Sequence, residues 1–167
     1  EKLSKRAIIK EGIPKGTKKW FEYQQINKSV NYDEEFIVYP NVSLGNNFTF
    51  SKNAVIDMTG FLIKSNSRHL LAILNSKLIE FLMSIWAISR RGGYLEYKVQ
   101  YVQKIPIKIP SKNEQNLLES KVDQIFALKK ENPEADTSKL EAEIDQLVYE
   151  LYGLTEEEIA IVEESVG

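Results

Sequence analysis

The gaps between the apolar runs of the first 65 residues constrain the fold more than any other feature of the sequence. Short aromatic and β-branched runs occur at "WFEYQQI" (20–26), "EFIVYP" (35–40), "FTF" (48–50), "AVID" (54–57) and "GFLIK" (60–64). Such runs, separated by turn residues, predict β-strands. Parallel strands need a crossover helix between them, and these gaps are too short to hold one. We therefore predict a mainly antiparallel sheet.

A helical region is predicted after these strands. Leu71, Leu74, Leu78 and Leu82 recur at steps of three and four, which predicts helix over residues 67–88. The pair Asn75–Ser76 predicts a break within it, because both side chains compete for backbone hydrogen bonds. Beyond "RRGGY" (90–94), apolar and polar residues alternate from 95 to 101 and predict a strand. "IPIKIP" (105–110) predicts a further extended piece at a sheet edge or strand end.

The sequence from Ser111 onward predicts helices. Three pairs have the capping-box spacing, in which a hydroxyl and a carboxylate satisfy backbone N–H groups at a helix start: Ser111 with Glu114, Ser138 with Glu141, and Thr155 with Glu158. Helices are predicted over 112–131 and 138–152, with Gly153 as a left-handed cap. The predicted class is α+β (mixed α/β), with a twisted, mostly antiparallel sheet, packing helices and a C-terminal helical hairpin. We divide the chain into an α/β domain, 1–110, and a C-terminal helical segment packed on it, 111–167.

Composition excludes several kinds of chemistry. The chain has no cysteine, which removes disulfides, thiolate zinc sites and thiol nucleophiles, and its one histidine, His69, disfavours a His-based metal site or a catalytic triad. No glycine-rich phosphate loop occurs. Glu96 and Lys98 have the spacing of one half of a metal-dependent nuclease site, but the nearest upstream acid outside the helix is Asp57. We therefore expect no catalytic, cofactor or metal site, no membrane span, and a cytoplasmic location.

Charge is divided unevenly along the chain. Residues 1–110 contain 17 Lys and Arg against 9 Asp and Glu, a net charge of +8, while residues 111–167 contain 5 against 15, a net charge of −10. A basic region joined to an acidic one is typical of proteins with one face toward a polyanion. Two solvated surfaces would give the same pattern, so charge alone leaves both interpretations open.

The candidate DNA-binding residues lie around two basic, glycine-containing segments. Arginine can bind guanine edges or phosphate through two hydrogen bonds, and glycine lets the backbone approach nucleic acid closely. The candidates are Lys15, Lys18, Lys19, Trp20, Arg90, Arg91, Gly92, Gly93, Tyr94, Lys98 and Gln100. The alternative interpretation of "RRGG" is a helix end whose arginines complement the helix dipole.

Five segments in a fixed order resemble a known family. They are "KWFEYQ" (19–24), "FIVYPNVS" (36–43), "FTF" (48–50), "LLAILNSKLIEFLM" (70–83) and "YVQKIPIKIPSKNEQ" (101–115). This order resembles the TaqI-like C-terminal specificity domain, the target-recognition region of adenine-specific DNA methyltransferases and combined restriction–modification enzymes. "LLAILNS" and the "IPIKIP" segment are also similar to the target-recognition domains of type I restriction specificity subunits.

The resemblance implies sequence-specific binding of double-stranded DNA by a chain that itself needs no cofactor. It further implies an upstream catalytic methyltransferase domain in the same parent chain, which would use S-adenosylmethionine, with magnesium if the parent also cleaves DNA. "YPN" (39–41) lacks the Asn-Pro-Pro order of the motif that grips a flipped adenine. A protein-interaction module that docks a partner subunit through its helices is the alternative function.

Overall fold

The computed structural model describes residues 30–56 and 59–166. By its contacts the chain divides into two units, Glu1–Asp33 and Glu34–Gly167, and every element named below lies in the second. The strands are β1 (Phe36–Pro40), β2 (Val42–Ser43), β3 (Thr49–Ser51), β4 (Gly60–Ile63) and β5 (Leu95–Glu96). The helices are α1 (Arg68–Asn75), α2 (Lys77–Trp86), α3 (Val99–Val102), α4 (Lys112–Glu131), α5 (Ser138–Tyr152) and α6 (Glu156–Val166).

The strands form two small antiparallel sheets, which confirms the predicted pairing mode and the α+β class. In the first sheet β1 lies between β3 and β4, and Ile37 is opposite both Phe50 and Ile63. In the second sheet β2 pairs with β5, with Val42 opposite Glu96. The chain therefore leaves the first sheet at Pro40 and enters the second two residues later.

The predicted break between the first two helices is confirmed, and its polar side chains have a structural role. The Asn75 side chain accepts a hydrogen bond from the backbone N of Phe48 at 3.0 Å and donates to the Phe48 carbonyl at 2.9 Å. The amide thus pairs with the loop before β3 much as a neighbouring strand would. Asn46 in the same loop donates to the carbonyl of Ser76 at 2.9 Å. The break between α1 and α2 therefore holds the loop that leads into β3.

Helix α2 is capped by a side chain from another helix. Its N-cap residue, Ser76, makes no side-chain cap, and Asp145 of α5 accepts a hydrogen bond from the backbone N of Lys77 at 2.8 Å. Lys77 also forms an ion pair with Glu163 of α6, whose other oxygen accepts from the Tyr149 hydroxyl at 2.8 Å. Asp145 is buried, and this burial raises its pKa to about 6. The start of α2 is thereby tied to both α5 and α6.

One hydrophobic core runs from the first sheet to the C-terminal helices. Helix α4 packs on α1 and α5, and α6 packs on α2. Fully buried side chains include Ile37 of β1, Ile79 of α2 and Val148 of α5. The helical hairpin is thus part of the core that supports the sheet. Our division of the chain at residue 110 remains a prediction.

The helix boundaries largely follow the sequence signals. Both bonds of the capping box at Ser111 are formed, as are the reciprocal bonds between Thr155 and Glu158, and Gly153 has the left-handed conformation with φ of 72°. The box predicted at Ser138 is wrong, because Thr137 is the N-cap residue and Ser138 is already in the helix. The Ser138 backbone N instead donates to the side chain of Asp136 at 3.0 Å.

The predicted strands after Gly93 are mostly wrong. Only β5 (Leu95–Glu96) is a strand, and the chain turns into α3 at Val99. A helical turn buries Tyr101 and Val102 together and leaves Val99 49% exposed, whereas a strand with the predicted alternation would bury Val99. The backbone N atoms of Tyr101 and Val102 both donate to the Lys98 carbonyl, at 2.9 and 3.1 Å, and these bonds close the turn.

Three other segments also bear on the predicted sheet. Residues 105–110 have no regular secondary structure, and the Tyr152 hydroxyl holds them by donating to the Pro106 carbonyl at 2.6 Å and accepting from the Lys108 backbone N at 3.1 Å. Side-chain bonds from α5 thus replace a ladder of strand bonds. The strand predicted over 54–57 is absent from residues 54–56, and the strand predicted over 20–26 lies outside the described residues.

In the part of the chain that the structure describes, no single helix has the length and apolarity needed to cross a membrane. Helices α1 and α2 meet these criteria only as a pair, and they are bent by 56° at their junction.

Replacing Asn75 tests the loop contacts at the helix break. We expect Asn75→Ala to lower the free energy of unfolding by about 1–2 kcal/mol, because it leaves two backbone groups of Phe48 without their partner. Asn116→Ala, an exposed site on α4, is the control and should change it by less than about 0.5 kcal/mol. Urea unfolding measures both. Equal midpoints for the two variants would contradict the role of Asn75.

Asp145 predicts a specific pH dependence. A carboxyl whose pKa is raised by folding binds its proton more tightly in the folded state, so its contribution to stability is complete below the unfolded pKa and is lost as pH rises through about 6. Asp145→Asn keeps an acceptor for the Lys77 N–H and removes this titration. Relative to that variant, the wild-type protein should lose about 1–3 kcal/mol between pH 4 and 7. A stability difference that stays constant over this range, measured by urea unfolding, would show that Asp145 is not desolvated.

Candidate nucleic-acid interface

The first basic segment of the candidate set lies outside the described residues. Lys15, Lys18, Lys19 and Trp20 belong to it. The second segment, from Arg90 to Gln100, is described in full, and the site is built from it.

Arg90 to Tyr94 form the turn of a β-hairpin. The Arg90 backbone N donates to the Tyr94 carbonyl at 2.6 Å, and the Glu96 backbone N donates to the Ile88 carbonyl at 3.0 Å. Gly92 and Gly93 have φ values of 85° and 81°, a region that is unfavourable for residues with a Cβ atom. Two glycines therefore allow the chain to reverse here. Helix α2 ends at Trp86, so the two arginines belong to the hairpin and do not cap that helix.

Strand β2 extends this hairpin on its other side. Val42 is opposite Glu96, and the Tyr97 backbone N donates to the Asn41 carbonyl at 2.8 Å. The Tyr97 hydroxyl donates to the side chain of Asn46 at 3.1 Å. The hairpin is therefore fixed to the β2–β3 loop as well as to β2. The sequence did not predict this pairing, because β2 is only two residues long.

One face of this small sheet has a buried acid at its centre. Residues directly opposite each other on neighbouring strands point to the same face, so Val42, Glu96 and Ile88 share one side. The Glu96 side chain is only 3% exposed, although Val42 and Ile88 beside it are 42% and 47% exposed. The carboxylate therefore lies beneath an otherwise accessible surface.

Two of the candidate cations are bound to this acid. Arg90 donates from Nε to Glu96 Oε1 at 2.7 Å and also pairs with it through Nη2. Lys98 Nζ lies 2.7 Å from Glu96 Oε2. Hydrogen bonds from Lys98 and Arg90 lower the pKa of Glu96, so it remains ionised. The three side chains together have a net charge of +1, and both cations remain half exposed at their outer surface.

Arg91 differs from Arg90 in its surroundings. It lies at the exposed tip of the hairpin, and none of the carboxylates in residues 30–56 or 59–166 forms an ion pair with it. Tyr94 beside it is 41% exposed. Gln100 is exposed in the first turn of α3, so it is not on a strand face with Lys98 as the alternation predicted.

Exposed apolar side chains surround the charged centre. Leu44 is 61% exposed and reaches the hairpin turn, since its Cδ2 lies 4.0 Å from the position that a Cβ atom on Gly93 would take. With Val42, Ile88 and Tyr94 it forms an apolar border. Sequence reasoning missed Val42, Leu44 and Ile88, because their place beside the hairpin depends on the β2–β5 pairing. We use the term hairpin face for the surface formed by this apolar border and the charged side chains beside it: Val42, Leu44, Ile88, Tyr94, Arg90, Arg91, Glu96 and Lys98.

The arrangement offers groups for binding: two cations paired with one acid, and an exposed apolar border. Glu96, the acid of the possible nuclease spacing, is occupied by two cations, and Asp57 lies outside the described residues. Across the described ranges, no group of three His, Asp or Glu side chains is arranged to hold a metal ion. His69 pairs with Glu119 of α4 at 3.1 Å, which joins two helices.

A family model described as a TaqI-like C-terminal specificity domain matches residues 5–107. This range is more than half of the chain and includes the whole hairpin face. A search of curated proteins finds no match.

Gly93 provides a test of the hairpin geometry. Gly93→Ala should destabilise the turn by about 1–2 kcal/mol, because its φ is left-handed, while Gly93→Asn should cost less since asparagine tolerates this region. Hydrogen exchange at the Glu96 amide, which bonds to Ile88 across the hairpin, measures the opening. The same exchange rate in wild type and Gly93→Ala would rule out this turn.

Proposed function

Because the chain belongs to the family of TaqI-like C-terminal specificity domains, which supply DNA sequence specificity in restriction–modification proteins, we propose that it directs an adenine-specific DNA methyltransferase to its target sequence. A specificity domain is non-catalytic. The chemistry would therefore belong to a catalytic domain upstream in the same parent chain. That domain would hold S-adenosylmethionine, and magnesium if the parent also cleaves DNA.

The proposed role agrees with the mechanics of base methylation. An enzyme that methylates adenine in a duplex must first extrude the target base from the stack. A second domain that holds the duplex and fixes its register leaves the catalytic domain to grip the extruded base. Since this work takes place on cellular DNA, we also propose a cytoplasmic location.

The hairpin face is our proposed reading surface within the described residues. Arg91 supports this most directly, because its guanidinium is exposed at a glycine turn and has no carboxylate partner among those residues. Such an arginine can enter a groove and bond to a guanine edge or to phosphate. Tyr94 and Leu44 beside it offer apolar surface of the kind that contacts a thymine methyl group.

The other candidates have different proposed roles. Lys15, Lys18, Lys19 and Trp20, in the segment that the structure does not describe, would contact the phosphate backbone without reading sequence. Gln100 is exposed near Lys98 in sequence and is a further candidate contact. Gly92 and Gly93 would allow the backbone to approach the duplex closely.

The alternative function is docking of a partner subunit through the helices. Exposed apolar side chains on the helices, among them Ile85 of α2, Leu117 of α4 and Ile161 of α6, would suit a protein partner. A titration of duplex DNA at several salt concentrations tests the first function, because each contact to phosphate releases condensed counterions and makes the affinity for DNA fall steeply with ionic strength. Without the catalytic domain, we expect DNA binding with a Kd of only about 10⁻⁴–10⁻⁶ M, typical of non-specific contacts.

Arg91→Ala tests the proposed reading surface in the full-length protein. Loss of a two-bond base contact should cost about 1–3 kcal/mol of binding to the target duplex and reduce discrimination at one base pair. The target can be mapped as the methylated site in the host genome. Fluorescence anisotropy with that duplex, and with duplexes changed one base pair at a time, measures both effects.

The matched control is Lys130→Ala, which removes an exposed cation from α4 of the acidic segment. It should leave affinity and base preference unchanged. If Arg91→Ala behaves in the same way, Arg91 does not read DNA. If the wild-type protein binds no duplex, or binds with an affinity that salt does not change, the docking function is favoured.

A further inference from the structure

We propose that Glu96 is a positioning residue for DNA recognition, which holds Arg90 and Lys98 on the hairpin face and so limits their contact with phosphate. The proposal rests on the function proposed above. It distinguishes three cations that are close together in the sequence, because Glu96 holds two of them, whereas no acid within residues 30–56 and 59–166 pairs with Arg91.

The position of Glu96 explains why one carboxylate can hold both cations. β5 is flanked by β2 on one side and by the Ile88–Ser89 segment on the other, so the Glu96 side chain lies in the middle of the face. Arg90 reaches Oε1 from across the hairpin, and Lys98 reaches Oε2 from two residues further along the chain. Each carboxylate oxygen therefore pairs with one cation, and the two cations approach from different directions.

The two cations cover the carboxylate that they pair with. The Glu96 side chain is 3% exposed while Arg90 and Lys98 lie over it, so a cation that turns toward solvent gives up a charged partner and uncovers the acid. An ionised carboxylate in such a place is strongly disfavoured without compensating charges. Arg90 and Lys98 are thus kept beside Glu96 by the cost of leaving it unpaired, and they expose only their outer surfaces.

Holding these two cations affects binding to non-target DNA more than binding to the target. A cation that is free to follow the phosphate backbone adds affinity for every sequence alike. Arg90 and Lys98, held by Glu96, add less of this indiscriminate affinity, and their fixed positions keep the geometry around Arg91 constant. Glu96 would therefore lower non-target binding and preserve the difference between target and non-target DNA.

The test is Glu96→Gln in the full-length protein, with the mapped target duplex and a duplex in which that site is scrambled. Freed from the carboxylate, Arg90 and Lys98 should raise affinity for the scrambled duplex about 5–10-fold and steepen the plot of log affinity against log salt by about one unit. The ratio of target to scrambled affinity should fall by about the same factor.

The double variant Glu96→Gln with Lys98→Gln separates charge from position. It restores the net charge of +1, so the salt slope should return to the wild-type value, while the affinity ratio should stay reduced because Arg90 is no longer held. Urea unfolding of each variant checks that the chain folds. For a variant that is destabilised, binding is measured below its unfolding transition.

The outcomes separate this proposal from the proposed function. Wild-type protein that does not prefer its target contradicts the function itself. Wild-type preference together with an unchanged salt slope and affinity ratio in Glu96→Gln overturns the role of Glu96 alone. Equal weakening of both duplexes, with no change in slope, would mean that Glu96 only stabilises the fold.

Discussion

The break between α1 and α2 is the constraint on which the rest of the molecule depends. Asn75 pairs with both backbone groups of Phe48, and Asn46, two residues earlier in the same loop, bonds to Ser76 at the break. Asn46 also accepts from the Tyr97 hydroxyl, which fixes the chain immediately after β5. A local interruption of one helix is thus connected through three side chains to the hairpin face. A straight helix across this position would remove the support of both the loop and the hairpin.

The sequence predicted the parts of this arrangement that depend on local signals. The break at Asn75–Ser76, the helix start at Ser111 and the left-handed Gly153 each depend on one or two residues and their immediate neighbours, and the structure has them where predicted. The three-stranded sheet was predictable as well, because its strands contain clear aromatic and β-branched runs. Local sequence was sufficient for these features because the residues that predict each feature also form its hydrogen bonds or adopt its backbone conformation.

The sequence was misleading where tertiary contacts decide the structure. The alternation after Tyr94 suits a strand, but the chain forms a helical turn at Val99, in which Tyr101 and Val102 are both buried. The partner of Arg90 could not be inferred, since Glu96 is six residues away and meets it only when the glycine turn closes. For the same reason Arg90 and Arg91 look equivalent in the sequence and differ in the fold. Adjacent residues in a hairpin can therefore differ in their ion-pair partners.

Ion pairs within the fold neutralise part of the charge that is counted from the sequence. The sequence shows a basic region and an acidic one, and that division suggests a polyanion as partner. Yet several acids of the C-terminal helices are engaged with cations of the earlier part, as Glu163 is with Lys77 and Asp123 with Arg68. Net charge therefore overstates what either region offers to solvent. The charge available to a duplex depends on which cations the fold leaves unpaired, and on the hairpin face one buried carboxylate decides this.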